Sequence, residues 1–157
     1  MEIIELRERG NVAADVKIRK IYAEFQALLN ELSKRNLPDK TIEVINENIE
    51  ELNAISFLGN RLKSLLLKKQ RQIIKLVERK HKIVPKNYYR RLWLVLGMFV
   101  FGIPIGLALG AGNRNMGSIA IGLPIGLAIG LAVGSEMDNK AFKEGRQLQI
   151  ELSLPGV

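Results

Sequence analysis

Side chains able to do chemistry are sparse in this sequence and poorly arranged for it. His81 is the only histidine. It sits in the run Arg79-Lys80-His81-Lys82, which offers no carboxylate or thiol, so neither a metal site nor a nucleophile–base pair has its second member there. Cysteine is absent, which removes thiolate chemistry and disulfides and accords with a reducing compartment. Carboxylates gather at Glu43, Glu47, Glu50 and Glu51, but on a helix these positions form a solvated outer face. Glycine is abundant between Gly102 and Gly134. No Gly-Lys-Ser/Thr ending follows, and the glycines lie in an apolar stretch rather than behind a soluble strand, so they do not make a phosphate-binding loop. The expectation is a protein with no catalytic residue, no metal ligand and no cofactor, and therefore not an enzyme.

The elements that would position any site are of two kinds, and charge separates them. Residues 61–91 carry twelve Lys/Arg against Glu78 alone, whereas residues 1–60 carry eight basic and eleven acidic residues. The overall net charge of +8 thus comes from one segment. The N-terminal residues mix both signs and lack an apolar core, so they read as neither a secretory signal nor a transit peptide.

Residues 1–85 read as a cytosolic helical region. Val16, Ile18, Ile21, Tyr22, Phe25, Leu28, Leu29 and Leu32 recur at steps of three and four, predicting an amphipathic helix over about 12–35. Asn36-Leu37-Pro38-Asp39 breaks it, since proline disfavours helix in the residue before it and is tolerated in the first turn of the next. A second helix over about 39–56 uses Ile42, Ile45, Ile49 and Leu52 as its seam. Gly59 either caps a helix or interrupts a continuous one. A third helix over about 58–84 alternates Leu62, Leu65, Leu66, Ile73, Leu76 and Val77 with seven or more cations. Such a helix either lies on anionic lipid or packs in a bundle with its lysines solvated, and the acidic second helix can neutralise part of its charge. Nucleic-acid binding is disfavoured, because no recognition motif or stacking aromatic accompanies the cations.

At Ile83-Val84-Pro85 the helix should end. Lys82, Lys86, Tyr88, Tyr89, Arg90, Arg91 and Trp93 then place cations beside amphipathic rings just ahead of an apolar run, the composition of a membrane–water boundary. The run Leu92–Gly112 has 21 residues without a charge, about 31 Å as a helix, which matches a hydrocarbon core of about 30 Å. A second uncharged run, Gly117–Gly134, has 18 residues, and Ser135 can extend it. The domain expected is a transmembrane hairpin over 86–135, with spans at about 92–112 and 117–135. One cation, Arg114, occupies the tip, while both outer flanks are basic, so the positive-inside rule puts both termini in the cytoplasm. No ionisable residue lies inside either span, which leaves a proton relay or charged-substrate site without its usual groups.

The two spans repeat each other. Gly102, Pro104, Ile105, Gly106, Leu107, Ala108 and Gly110 recur twenty residues later as Gly122, Pro124, Ile125, Gly126, Leu127, Ala128 and Gly130. Folded about Arg114, the hairpin sets Gly110 against Ser118, Gly106 against Gly122, Gly102 against Gly126 and Pro104 against Pro124. In lipid there is no hydrophobic drive for helix association, so close packing must supply it, and glycine at every fourth position opens a groove for a neighbouring backbone. The packing residues expected are Gly102, Gly106, Gly110, Ser118, Gly122, Gly126, Gly130 and Gly134. Pro104 and Pro124 are expected to kink the two helices or to expose backbone towards a cavity. Ala128 and Ala132 form an adjacent strip, suggesting a second packing face.

On GIPIGLALG and GLPIGLAIGLAVG the sequence resembles glycine-zipper membrane proteins. The block KIVPKNYYRRLW with the run GLPIGLAIGLAVGSEMD resembles small uncharacterised bacterial proteins that carry such a hairpin. The resemblance covers roughly residues 83–146 and implies a bacterial inner membrane and close helix packing, but no activity.

Residues 136–157 read as a polar cytosolic tail. Residues 147–154 alternate strictly, as a strand would. With no strand to pair with, the end is expected to fray. The fold class expected is an all-α membrane protein, with cytosolic amphipathic helices followed by a C-terminal transmembrane hairpin. The function expected is non-enzymatic self-association through the glycines, with a pore as one outcome; the alternative is a membrane-anchored adaptor whose helical region binds a cytosolic partner. The partners expected are a bilayer with anionic headgroups and further copies of the chain.

Overall fold

A computed structural model describes residues 1–7, 15–55, 59–111 and 116–152. The described residues form helices α1 (Val16–Ser33), α2 (Asp39–Asn53), α3 (Asn60–His81), α4 (Tyr88–Ala111) and α5 (Ile119–Lys143). They divide into two units: residues 1–85 together with residues 148–152, and residues 86–147.

In the first unit the apolar periodicity is spent on a common core. Phe25, Leu28 and Leu32 of α1, Ile45 and Ile49 of α2, and Leu66 and Ile73 of α3 are all fully buried. Val16, at the head of the α1 pattern, stays exposed. Helix α1 starts at residue 16 because the Asp15 carboxylate caps it, accepting from the N–H groups of Lys17 (2.8 Å) and Ile18 (3.3 Å). The sequence reading began this helix at residue 12, and residues 12–14 lie outside the described set, as do Ser56 and Leu58 at the expected borders of α2 and α3. Gly59 takes φ 75° directly before α3, a backbone state that costs a residue without Cβ little, so it marks a break between two helices. Helix α3 ends where Lys82 enters the left-handed region at φ 57°, with Ile83 N–H reaching back to the Val77 carbonyl.

Two extended segments complete this unit. Residues 1–7 carry no helix; their backbone is held by side chains of α2, and Leu6 is buried. Residues 148–152 depart from the expected frayed end. Leu148 and Leu152 are buried while Gln149 and Glu151 face out, so the alternation read from the sequence is used on one face. The reason is that single acceptors take the place of a full strand: Leu148 N–H donates to the Val84 carbonyl (2.9 Å), and Gln149 N–H donates to the Glu31 carboxylate (3.2 Å). Between the basic face of α3 and acidic α2, the nearly buried Lys69 ammonium reaches Glu51.

The second unit is the α4–α5 hairpin. Both helices are long and apolar enough to cross a membrane, at 24 and 25 residues. Each exceeds the expected span, because α4 already begins at the boundary aromatics and α5 runs through the polar residues to Lys143. The tip, residues 112–115, lies outside the described set.

Candidate functional site

The feature that distinguishes this chain is the contact between α4 and α5, where backbone meets backbone. A methyl group added at Gly122 would lie 2.6 Å from the Gly106 Cα, one at Gly126 the same distance from the Gly102 Cα, and one at Gly106 equally close to the Ile119 Cα. No side chain fits at such separations, so backbone meets backbone at Gly106–Gly122 and at Gly102–Gly126. Gly110 is also buried. Ser118 is half-buried, and its carbonyl lies against Gly106.

Beyond Gly102 the ladder continues through a residue that the sequence reading passed over. Gly97 precedes Gly102 by five positions, not four, and would be rotated away on a regular α-helix. The chain forms a π-helical turn over Met98–Gly102, with Ile103 N–H donating to the Met98 carbonyl. This turn takes up one extra residue. Gly97 therefore faces α5, where an added methyl would come within 2.7 Å of the Gly130 Cα. Gly130 in turn abuts the Trp93 carbonyl, and Gly134 abuts Arg90, its added methyl lying 2.6 Å from the Arg90 Cα. The only sequence signal for Gly97 was a glycine one step out of frame, followed by Pro104.

The line Gly122, Gly126, Gly130, Gly134 ends one turn later in Asp138, which is 6% exposed. Helix α4 enters from Asn87 with φ 60° and no side-chain cap of its own. Its first intrahelical bond runs from Arg91 N–H to the Asn87 carbonyl, so the N–H groups before it have no acceptor within the helix itself. Asp138 supplies the missing acceptors from the opposite helix: Oδ1 takes Tyr89 N–H at 3.1 Å and Oδ2 takes Arg90 N–H at 2.9 Å. A carboxylate at a helix N-terminus also complements the helix dipole.

The prolines stand in different local settings. Pro104 stands just after the π turn, whereas Pro124 sits inside α5, which is helical throughout. Both side chains are exposed on the outside of the hairpin, where Ala128 and Ala132 are exposed too. The outer surface is otherwise bulky and apolar: Phe99, Val100, Leu107, Leu109 and Ile121 are each more than half exposed. Of the boundary residues, Lys82 belongs to the first unit, as the left-handed cap of α3. In the second, Lys86 and Arg90 are exposed, Arg91 and Trp93 half-buried, and Tyr88 packs edge-on against buried Tyr89 with ring centroids 5.3 Å apart.

His81 Nε2 lies 3.0 Å from the Thr41 hydroxyl, tying α3 to α2. Among the described residues no group of three or more His, Cys, Asp or Glu side chains is placed to hold a metal ion. Neither protein families, curated proteins nor solved structures yield a match to this chain.

Proposed function

We propose that this chain is a non-enzymatic integral membrane protein, in which the α4–α5 hairpin is a self-sufficient anchor and residues 1–85 form an interaction module beside the membrane. The observation that carries this reading is how the hairpin divides its surface. Its glycines are spent on contact within one chain, and its bulky apolar side chains point outward with nothing covering them. An apolar belt of that size around a pair of membrane-length helices suits hydrocarbon, not water. The basic boundary before α4 and the basic end of α5 favour a cytoplasmic location for both termini under the positive-inside rule. The glycine-zipper resemblance extends this to a bacterial inner membrane.

Association between hairpins is a second reading, and one observation favours it. Ala120, Pro124, Ala128 and Ala132 recur at four-residue steps on the exposed side of α5, a strip narrow enough for a neighbouring helix. Self-association through the buried glycines would require the hairpin to open first. Single-chain cysteine cross-linking between α4 and α5 in liposomes, beside chain-to-chain cross-linking, tests both. Gly122→Leu should abolish the first. If Ala128→Leu leaves the second unchanged and the liposomes stay impermeable to ions, the anchor reading stands. Loss of chain-to-chain cross-links in Ala128→Leu, or a conductance, replaces it with the second reading.

A further inference from the structure

The way residues 1–7 are held is the signature of a peptide in a binding groove. Asn46 and Asn53 are seven residues apart on α2, two turns, and so share one face. Each uses both ends of its carboxamide on an extended backbone. Asn46 Oδ1 accepts Ile4 N–H at 3.0 Å while its Nδ2 donates to the Glu2 carbonyl at 2.9 Å. Asn53 repeats the pattern, with Oδ1 accepting Arg7 N–H at 2.8 Å and Nδ2 donating to the Glu5 carbonyl at 3.1 Å. From the opposite side, the Tyr22 hydroxyl of α1 donates to the Arg7 carbonyl. These side chains replace the strand ladder that an extended segment otherwise needs, and they read main chain rather than side-chain identity. Only Leu6 is fully engaged as an apolar anchor, at 4% exposure.

An open cleft flanks the resident segment. A cavity of about 360 Å³ lies between Ile3–Leu6 and the Gln26, Leu29 and Ser33 side of α1. A segment held through its backbone and one leucine, with space left on one flank, is exchangeable for another of the same kind. The same unit accepts a second extended segment of similar pattern: Ile150-Glu151-Leu152 repeats Ile4-Glu5-Leu6, and Leu152 is buried as Leu6 is.

We propose that the α1–α2 groove is a binding site for an extended peptide, and that its occupant from outside is residues 2–7 of a second copy, exchanged between neighbouring chains. This names the partner of the interaction module and rests on that reading. A second copy fits because it brings the identical segment, with every backbone contact already matched. The residues 8–14 that join the segment to α1 are enough to reach about 25 Å when fully extended. Exchange of an identical element is a low-cost route to association, and confinement of both copies in one membrane raises their effective concentration.

The cysteine-free background permits a direct test on the full chain in liposomes. Ile3 and Ser33 line the same cavity. Chains carrying only Ile3→Cys are mixed with chains carrying only Ser33→Cys, and oxidation is followed by gel. Exchange yields a disulfide between the two populations, reduced about tenfold by Asn46→Leu with Asn53→Leu, which removes four backbone hydrogen bonds. Excess synthetic peptide of residues 1–7, which needs no substitution, should suppress the same band. Closure solely within chains that carry both cysteines, with none between chains, overturns the proposal. Cross-links between chains that ignore both the asparagines and the peptide also overturn it, and in addition point to contact through the hairpin.

Discussion

The Asp138 carboxylate accepts the backbone N–H of Arg90 at 2.9 Å, so the line of glycines on α5 finishes in the cap of α4. Packing and capping are thereby coupled: the helix start that Asp138 satisfies is in place only when the glycine contact has formed.

Replacing Asp138 by Ala should destabilise the hairpin by about 1–2 kcal/mol, the cost of losing a helix N-cap. Asp138→Asn keeps one acceptor and should fall between. Amide exchange in micelles supplies the measurement, with Tyr89 and Arg90 losing protection selectively in Asp138→Ala. Equal protection in the two proteins would contradict the capping role.

The π turn makes an unusual deletion tolerable. Removing Phe99 leaves Gly97 and Gly102 four positions apart, so a regular α-helix presents both glycines to α5. Removing Leu107 instead shifts every glycine before it out of frame by one residue. Cross-linking between the helices of one chain should survive the first deletion and fail in the second. The opposite order would show that the π turn serves something other than register.

These contrasts also show what was legible in the amino-acid order. The seam Ile42, Ile45, Ile49 and Leu52 was readable because a half-buried helix has one period, and all four are buried. The pairs Gly106–Gly122 and Gly102–Gly126 followed from symmetry about the tip. Gly97 is hidden in the sequence because a local change of helix type breaks the four-residue rhythm of the other glycines. Asp138 and Asn46 were hidden for another reason. A polar residue on a helix reads as solvated, and only the fold brings the backbone it satisfies, from 48 and 42 residues away. The end of the chain misled by the same route, since an alternating segment was judged by its lack of a strand partner rather than by the carboxylate and carbonyl that receive it.

Acid should loosen that end. The Glu31 carboxyl is held below its ordinary value of 4.5, first by the Lys34 ammonium at 2.6 Å and then by Gln149 N–H. A depressed carboxyl contributes stability that is present above its unfolded value and lost as pH falls through the folded one. Protection of the Gln149 amide should therefore hold from neutral pH down to about 4.5 and decline below it. Glu31→Gln should flatten that dependence. A decline of the same size in the variant would assign the effect to other carboxyls.

Gln70 offers a gain instead of a loss. It is fully buried in α3, and among the described residues neither its Oε1 nor its Nε2 has a hydrogen-bond partner. Leaving such a group unsatisfied costs about 1–3 kcal/mol, so Gln70→Leu should raise stability by a similar amount. Denaturant midpoints of the full chain in micelles measure it; a fall would indicate that the carboxamide has a role that its surroundings do not reveal.

The docking of Leu148 and Leu152 sets an order of events during synthesis. The core that α1, α2 and α3 build includes side chains that leave the ribosome only after the entire hairpin has been made. The first unit translated is therefore the last to be finished. A chain cut short within or just after the hairpin keeps an open apolar seam in its helical unit, where Leu148 and Leu152 would have docked.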